Sequence, residues 1–471
     1  MCYHPASNEK CGELRSENSV RYIQAPYLKE VVNNVKKPEL LAPAGNMEKL
    51  KVAIRYGADA VYLGGKAFGL RNLADNFTLE ELREAVDYAH ERGVKVYLTL
   101  NSFPGNDDIT QLERYLRDIA QIKLDAYIAA DPGVIALIQE LSPEREIHLS
   151  TQANTTNWRS ARFWQSQGVK RVNLAREMSL AEIGETAQKC DLELEAFVHG
   201  AMCISYSGRC LLSSAMTGRD ANKGECTQPC RWNYAIVEQS RPGEYFPIQE
   251  DDGGSFIFNS KDLCLIEHLP DLVRSGVSSL KIEGRMKGIY YAASVIRIYR
   301  EALDSYWEDP AGYHLKPEWL EELSKVSHRG YTTGFLLGKP RDLDHEYLSS
   351  YVRNFEFVAI VEGDAGSGGT LVAVRNRMQL GDRLELIGQG SSFSSFTLTR
   401  MENENGEPVQ FANPNQRVVL TGLPGAGRFD LIRREKTAPV AASGSGPADK
   451  TSPSPSPSPC TKTGASLPSP G

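Results

Sequence analysis

ELLAPAGNMEKLKVAIRYGADAVYLGG, residues 39–65, holds two short apolar runs around a stretch whose apolar residues fall three and four apart. The runs suit buried strands and the stretch between them suits an amphipathic helix. The glycine of YGAD stands where a helix C-cap leads into the next strand. The same unit recurs along the chain. PELLAPAG, ADAVYLGG, VKVYLTLN, DAYIAAD, EIHLSTQ, KRVNLAR, LEAFVHG and SSLKIEGR are eight such runs, and the glycine precedes a strand again in RGVKVYL, QGVKRVNL and SGVSSLKI. Eight β/α units in succession predict an α/β fold, a (β/α)8 TIM-like barrel over 38–345. The rival is an open doubly wound sheet. Its glycine-rich candidate, GGKAFGLR, has neither dinucleotide-fingerprint spacing nor the Lys-Ser/Thr pair of a phosphate loop.

Outside the barrel the pattern changes. FEFVAIVEG, TLVAVRNR, GDRLELIG, SFTLTRM, RVVLTGL and RFDLIRRE alternate with period two and predict a small antiparallel β-barrel over 350–436. Arg375, Arg377 and Arg383 flank one hairpin there; they share an RNA-facing side or form an ordinary solvated surface, the plainer reading. The Ser-Pro repeats of 437–471 lack the apolar residues that folding needs and predict a disordered tail. Residues 1–37 carry a short amphipathic piece, YIQAPYLKEVVNNV, and are expected to be disordered or loosely docked. A net charge of -7 argues against indiscriminate nucleic-acid binding while leaving room for a local basic face. No apolar stretch is long enough to span a membrane and no secretory leader stands at the start, so a cytoplasmic protein without a membrane partner is expected.

A barrel carries its chemistry at the C-terminal ends of its strands. Those ends hold Asn46, Asn101, Asp131, Gln152, Arg176, Glu177, His199, Glu283 and Arg285, some of which are expected only to cap helices or pair with one another. His199 and Glu283 end the strands that flank an insertion, 200–277, far longer than a βα loop needs. Five of the chain's nine cysteines lie in it: Cys203, Cys210, Cys226, Cys230 and Cys264. Disulfides do not suit a cytoplasmic chain. A catalytic thiol, Cys203 with His199 as base, leaves four cysteines without a role. Zinc sites pair C-x(2-4)-C units, and only Cys226 and Cys230 make one; wide, irregular spacing suits an iron–sulfur cluster better, with plain packing as the remaining option. Asn233 stands where a radical-type C-x(3)-C-x(2)-C motif would have its third cysteine.

HGAMCISYSGRCLLS (199–213), GECTQPCRWNY (224–234), NSKDLC (259–264) and SLKIEGRMKGIYYAASVIRIYREALD (279–304) together resemble the collagenase-like unclassified-peptidase (U-type) family, and most of all its branch of tRNA hydroxylation proteins. The resemblance implies an oxygen-independent hydroxylase with a [4Fe-4S] cluster on four cysteines, converting the wobble uridine of tRNA to 5-hydroxyuridine with prephenate as co-substrate. The ligands so expected are Cys203, Cys210, Cys226 and Cys230, with Cys264 as substitute. The two carboxylates of prephenate call for guanidinium partners, Arg176 and Arg285, beside Glu283. His199 and Glu177 are the candidates for proton transfer. Arg209, Arg219, Lys223 and Arg231 are expected to meet the anticodon phosphates. Rival readings are hydroxylation of ribosomal RNA or a ubiquinone precursor, proteolysis, and a non-enzymatic RNA-binding scaffold. For proteolysis the residues offer nothing: His345-Glu346 is followed by Tyr-Leu-Ser rather than completing H-E-x-x-H, and no G-x-S-x-G is present.

Overall fold

The computed structural model describes residues 36–68, 76–202, 212–219, 221, 225–229, 236–237, 245–246, 250–251, 254–255, 261–338, 354–366, 368–423 and 425–436. The tail expected at 437–471 and nearly all of the 1–37 extension lie outside them.

Each apolar run becomes a strand. These are β1 (Glu39–Pro43), β2 (Ala60–Gly64), β3 (Lys95–Leu100), β4 (Ala126–Ala129), β5 (Glu146–Leu149), β6 (Arg171–Asn173) and β7 (Glu193–Ala201). After the insertion come β8 (Asp262–Cys264) and β9 (Val277–Ile282). Strands β1 to β7 pair in sequence order, and β9 pairs in parallel with both β1 and β7, which closes an eight-stranded barrel. Helices alternate with them: α1 (Met47–Arg55), α2 (Leu79–His90), α3 (Asn106–Ile119), α4 (Pro132–Leu141), α5 (Trp158–Ser166) and α6 (Leu180–Lys189). Local chemistry fixes their ends. Thr78 with Glu81 and Ser179 with Glu182 form capping boxes at the starts of α2 and α6. The glycines that precede strands, Gly57, Gly93, Gly168 and Gly276, all have positive φ, as a left-handed helix stop demands.

The insertion is shorter than the spacing suggests, because its last part belongs to the barrel. β8 runs antiparallel to β7, with Cys264 opposite His199, and α8 (Leu269–Arg274) is the helix before β9. Cys264 thus ends a buried strand. α7 (Leu212–Thr217) lies within the insertion. Beyond β9, α9 (Ile289–Glu308) and α10 (Pro317–Ser324) complete the outer layer, and β10 (Tyr331–Thr332) pairs with β8. No described helix is long and apolar enough to cross a membrane.

The C-terminal strands are β11 (Phe355–Gly366), β12 (Gly369–Val374), β13 (Arg383–Ile387), β14 (Phe393–Thr397), β15 (Met401–Asn403), β16 (Arg417–Thr421) and β17 (Leu431–Glu435). They form one antiparallel sheet in the order β14-β13-β17-β11-β12-β16-β15. Its two edge strands, β14 and β15, are joined by residues 398–400 alone. Seven flat strands would hold those edges nearly 30 Å apart, and so short a link reaches about half as far. The sheet therefore curls around its own core of Val358, Val361, Val372, Leu384, Met401 and Leu420. Ile360, Ile387 and Leu431 face the other way and join the core of the barrel helices.

Candidate active site at the barrel mouth

Strand ends bring a ring of polar groups to the mouth. Arg285, just past β9, is 3% exposed, and its Nη1 donates to Thr99 Oγ1 at 2.8 Å. Thr99 in turn donates to the Leu63 carbonyl at 3.0 Å, so the guanidinium is anchored on β3 and indirectly on β2. Its approach depends on Gly64: a Cβ there would stand 2.6 Å from Arg285 Nη1. The Tyr62 hydroxyl donates to the Ile282 carbonyl at 3.0 Å, with the Glu283 carboxylate 3.3 Å away. Across the ring, Asn101 Nδ2 and Ser150 Oγ both donate to Gln152 Oε1, at 2.6 and 3.2 Å. Asn46 and Asp131, also at strand ends, serve as helix N-caps through Lys49 and Val134 amides.

Arg176 and Glu177 stand together after β6, both half-buried. The Arg176 guanidinium lies 3.8 Å from the centre of the Phe197 ring, a cation–π contact. Glu177 Oε2 is buried without a hydrogen-bond partner.

His199 is placed differently. Residues Lys281 and Ile282 of β9 pair with Phe197 and His199, so β7 carries one extra residue, a bulge at Val198. The His199 ring then sits among Tyr291, Tyr299 and Tyr331, at centroid distances of 6.0, 5.5 and 5.3 Å. Both its nitrogens lack hydrogen-bond partners and the residue is 1% exposed. Burial pushes its pKa down to about 3 and outweighs the opposing pull of Asp262, so the imidazole is neutral at physiological pH.

Below the mouth the interior holds charges that motif reading passed over. Arg171 pairs with Glu39 at 2.6 Å and Glu195 at 3.5 Å, and Lys281 pairs with Glu195 at 2.8 Å. Ser279 donates to Glu195 at 3.1 Å and Tyr97 to Glu39 at 2.7 Å. Burial would raise the Glu195 pKa, but Lys281 and Arg171 outweigh it and hold the carboxyl below its ordinary range. Lys281 also lies 4.6 Å from the Tyr62 ring centre, which links this ion-pair layer to the rim above. A signal was present: Glu195, Lys281 and Arg171 interrupt otherwise apolar strand runs at positions that alternate inward.

Of the expected cluster ligands, Cys203, Cys210 and Cys230 lie outside the described residues, as do Arg209, Lys223 and Arg231 among the expected RNA contacts. Cys226 and Cys264 are free thiols. Cys226 sits in 225–229, where the Gln228 amide donates to its sulfur at 3.4 Å and the Thr227 amide to Ser213 Oγ at 3.2 Å, docking this loop on α7. Cys264 is 9% exposed, and its sulfur lies 3.8 Å from the Tyr299 hydroxyl. Arg219 is half-buried just past α7, its amide donating to Thr217 Oγ1 at 3.4 Å.

Two family models match the chain, peptidase family U32 over residues 45–346 and the peptidase family U32 C-terminal domain over 353–433. Tyr62, Arg176, His199, Glu283 and Arg285 all fall within the first. Among curated relatives, tRNA hydroxylation protein P1 of Bacillus subtilis is 42% identical over 387 residues, covering 82% of this chain and 91% of its own. The tRNA hydroxylation protein P of Escherichia coli is 40% identical over 430 residues, covering 82% and 94%. A 23S rRNA 5-hydroxycytidine synthase of Escherichia coli is 35% identical over 312 residues, covering 65% of this chain and 46% of its own.

Proposed function

The chain belongs to peptidase family U32, and from that membership we propose that it is a tRNA hydroxylase, converting the wobble uridine to 5-hydroxyuridine with prephenate as co-substrate and a [4Fe-4S] cluster as cofactor. The observation that carries the reading is likeness to tRNA hydroxylation proteins along four fifths of the chain, barrel and C-terminal domain together.

Of the described thiols, Cys226 suits the cluster: its sulfur accepts from the Gln228 amide, the kind of hydrogen bond that tunes cluster thiolates. Cys264 suits it less, since burial pushes its thiol up and a ligand must ionise. Cys203, Cys210, Cys226 and Cys230 would hold it, with Cys264 as the substitute. When bound, the cluster would supply the redox chemistry of the reaction.

The remaining work falls to the rim. Prephenate carries two carboxylates, and Arg285, anchored on Thr99, and Arg176, over the Phe197 ring, are the guanidinia that would orient them. Glu283, beside the Tyr62 hydroxyl, would accept a substrate hydroxyl. Glu177, with an oxygen buried and unpartnered, is the carboxylate placed to take or return a proton. His199, neutral and enclosed, would shape that wall and hold a ring proton rather than carry charge. Closing the mouth over a base requires that the uridine leave its stack, at about a few kcal/mol.

A thiol peptidase built on Cys264 is disfavoured by the same geometry; Cys203, the thiol first paired with His199, lies outside the described residues. Cys264 and His199 face each other across β7 and β8, but burial pushes the thiol up and the imidazole down, opposing the thiolate–imidazolium pair that nucleophilic attack needs.

Nucleoside mass spectrometry of cells lacking the protein tests the proposal. Wobble 5-hydroxyuridine and its derivatives should disappear, and blocking prephenate synthesis should reproduce the loss. Unchanged tRNA nucleosides would overturn the reading, and loss of a hydroxylated ribosomal nucleoside instead would move the substrate to ribosomal RNA.

A further inference from the structure

The C-terminal sheet has a groove that the barrel chemistry leaves unused. A cavity of about 660 Å³ opens among β12, the turn after β15 and the start of β16, a volume that accepts a nucleoside. Asn405, Asn415, Gln416, Arg375, Arg417 and Phe411 line it. Phe411 is 48% exposed, and the Arg377 guanidinium lies 4.7 Å from its ring centre. A single exposed phenylalanine means little. One stacked with a guanidinium at the lip of a cavity walled by side-chain amides makes a surface with flat faces and directional hydrogen bonds.

The charges in the groove are largely cancelled. Arg417 pairs with Glu362 at 2.8 Å and Arg375 pairs with Glu48 of α1. Gln416 Oε1 accepts from the Asn413 amide at 2.7 Å, which fixes its side chain with Nε2 left as a donor. A phosphate-gripping site would carry unpaired cations; this one offers planar groups and amides. That is the chemistry by which unpaired bases are held, by stacking on aromatic or guanidinium planes and by contacts to the base edge. We infer that this groove takes one unstacked base from a single-stranded segment of the RNA, with Phe411 and Arg377 as the stacking platform and Asn405, Asn415 and Gln416 reading the base edge. The inference rests on the tRNA reading above and adds a second point of contact, on the other domain.

Fluorescence anisotropy of full-length protein with labelled substrate tRNA tests it, using wild type, Phe411→Ala, Phe411→Trp and Arg377→Ala. Phe411→Ala should weaken binding about ten-fold, Phe411→Trp should restore it, and Arg377→Ala should weaken it less. Because a stacked base releases no counterions, the slope of affinity against salt should stay unchanged in Phe411→Ala. A single-stranded oligonucleotide should compete for the groove, and a duplex of the same sequence should not. The melting temperature reports any structural effect, and an exposed ring should leave it unmoved. Wild-type affinity in Phe411→Ala would overturn this inference while leaving the hydroxylase reading intact. Failure of tryptophan to rescue would also overturn it, as a protein-docking patch behaves. If the wild-type protein binds no tRNA and cells lacking it keep their 5-hydroxyuridine, the hydroxylase reading falls first.

Discussion

Arg285 depends on the absence of one methyl group. The Cβ of Gly64→Ala would stand 2.6 Å from Arg285 Nη1 and 3.0 Å from Asn76 Oδ1, both in buried side chains. Stability should therefore fall by about 1–3 kcal/mol, while 5-hydroxyuridine formation by the variant, read by mass spectrometry in complemented cells, falls at least ten-fold because the guanidinium leaves Thr99. Loss of folding with no specific loss of activity would remove Arg285 from the site. His199 makes a different prediction. Its folded pKa is about 3 against an ordinary 6.5, so between those values the unfolded chain binds more protons than the folded one. Stability should drop as pH falls through that window, by at most about 1.4 kcal/mol per pH unit from this residue. Urea titrations at pH 7, 6 and 5 should show the slope reduced in His199→Phe, which also suits the tyrosine cage. Arg285 and Glu283 were legible in the sequence because they end a strand whose period is plain. His199 was legible as a strand end, but its direction was not, since the bulge at Val198 reverses the alternation and no spacing announces a bulge.

Helices α9 and α10 meet the last strand, β17, through a buried ion-pair knot. Glu322 of α10 pairs with both Arg297 of α9 and Arg433 of β17, and with Lys325 at 2.8 Å; Arg433 also reaches Glu385 of β13 at 2.7 Å. Arg297 and Arg433 are fully buried. Glu322→Ala would leave two guanidinia enclosed and short of countercharge, and should cost about 3–5 kcal/mol in equilibrium denaturation. A change below 1 kcal/mol would mean that water reaches the knot. None of this could be seen beforehand: Arg297 sits in an apolar helical run as an ordinary polar-face residue, and its partners lie in elements far along the chain. Elements themselves were readable wherever a local rule governed them. The left-handed glycines and the eight apolar runs each carry their own signal. The place of Cys264 did not, because pairing of β8 with β7 is a long-range choice that a three-residue strand cannot advertise.

At the scale of the molecule, the barrel closes through its own hydrogen bonds before the cysteine-bearing insertion is counted. Stripping the proposed cluster with a chelator and an oxidant should therefore bleach the expected brown colour while far-ultraviolet circular dichroism stays within about a tenth of its starting value. Collapse of the helical signal on bleaching would make the metal part of the fold. The eightfold architecture was plain from periodicity, and the C-terminal strands from alternation, whereas the chemistry of the insertion rests on thiols whose grouping no spacing rule fixes. The short link at 398–400 has a last consequence. It holds the two short unpaired margins of the C-terminal sheet, β14 and β15, close to each other, where a stray strand from another molecule has less room to add than along a flat sheet's edge. Cutting the chain at Thr399, or lengthening the link with glycine and serine, would let those two margins part. The altered protein should then self-associate, with light scattering rising with concentration, although no residue of the barrel mouth has changed.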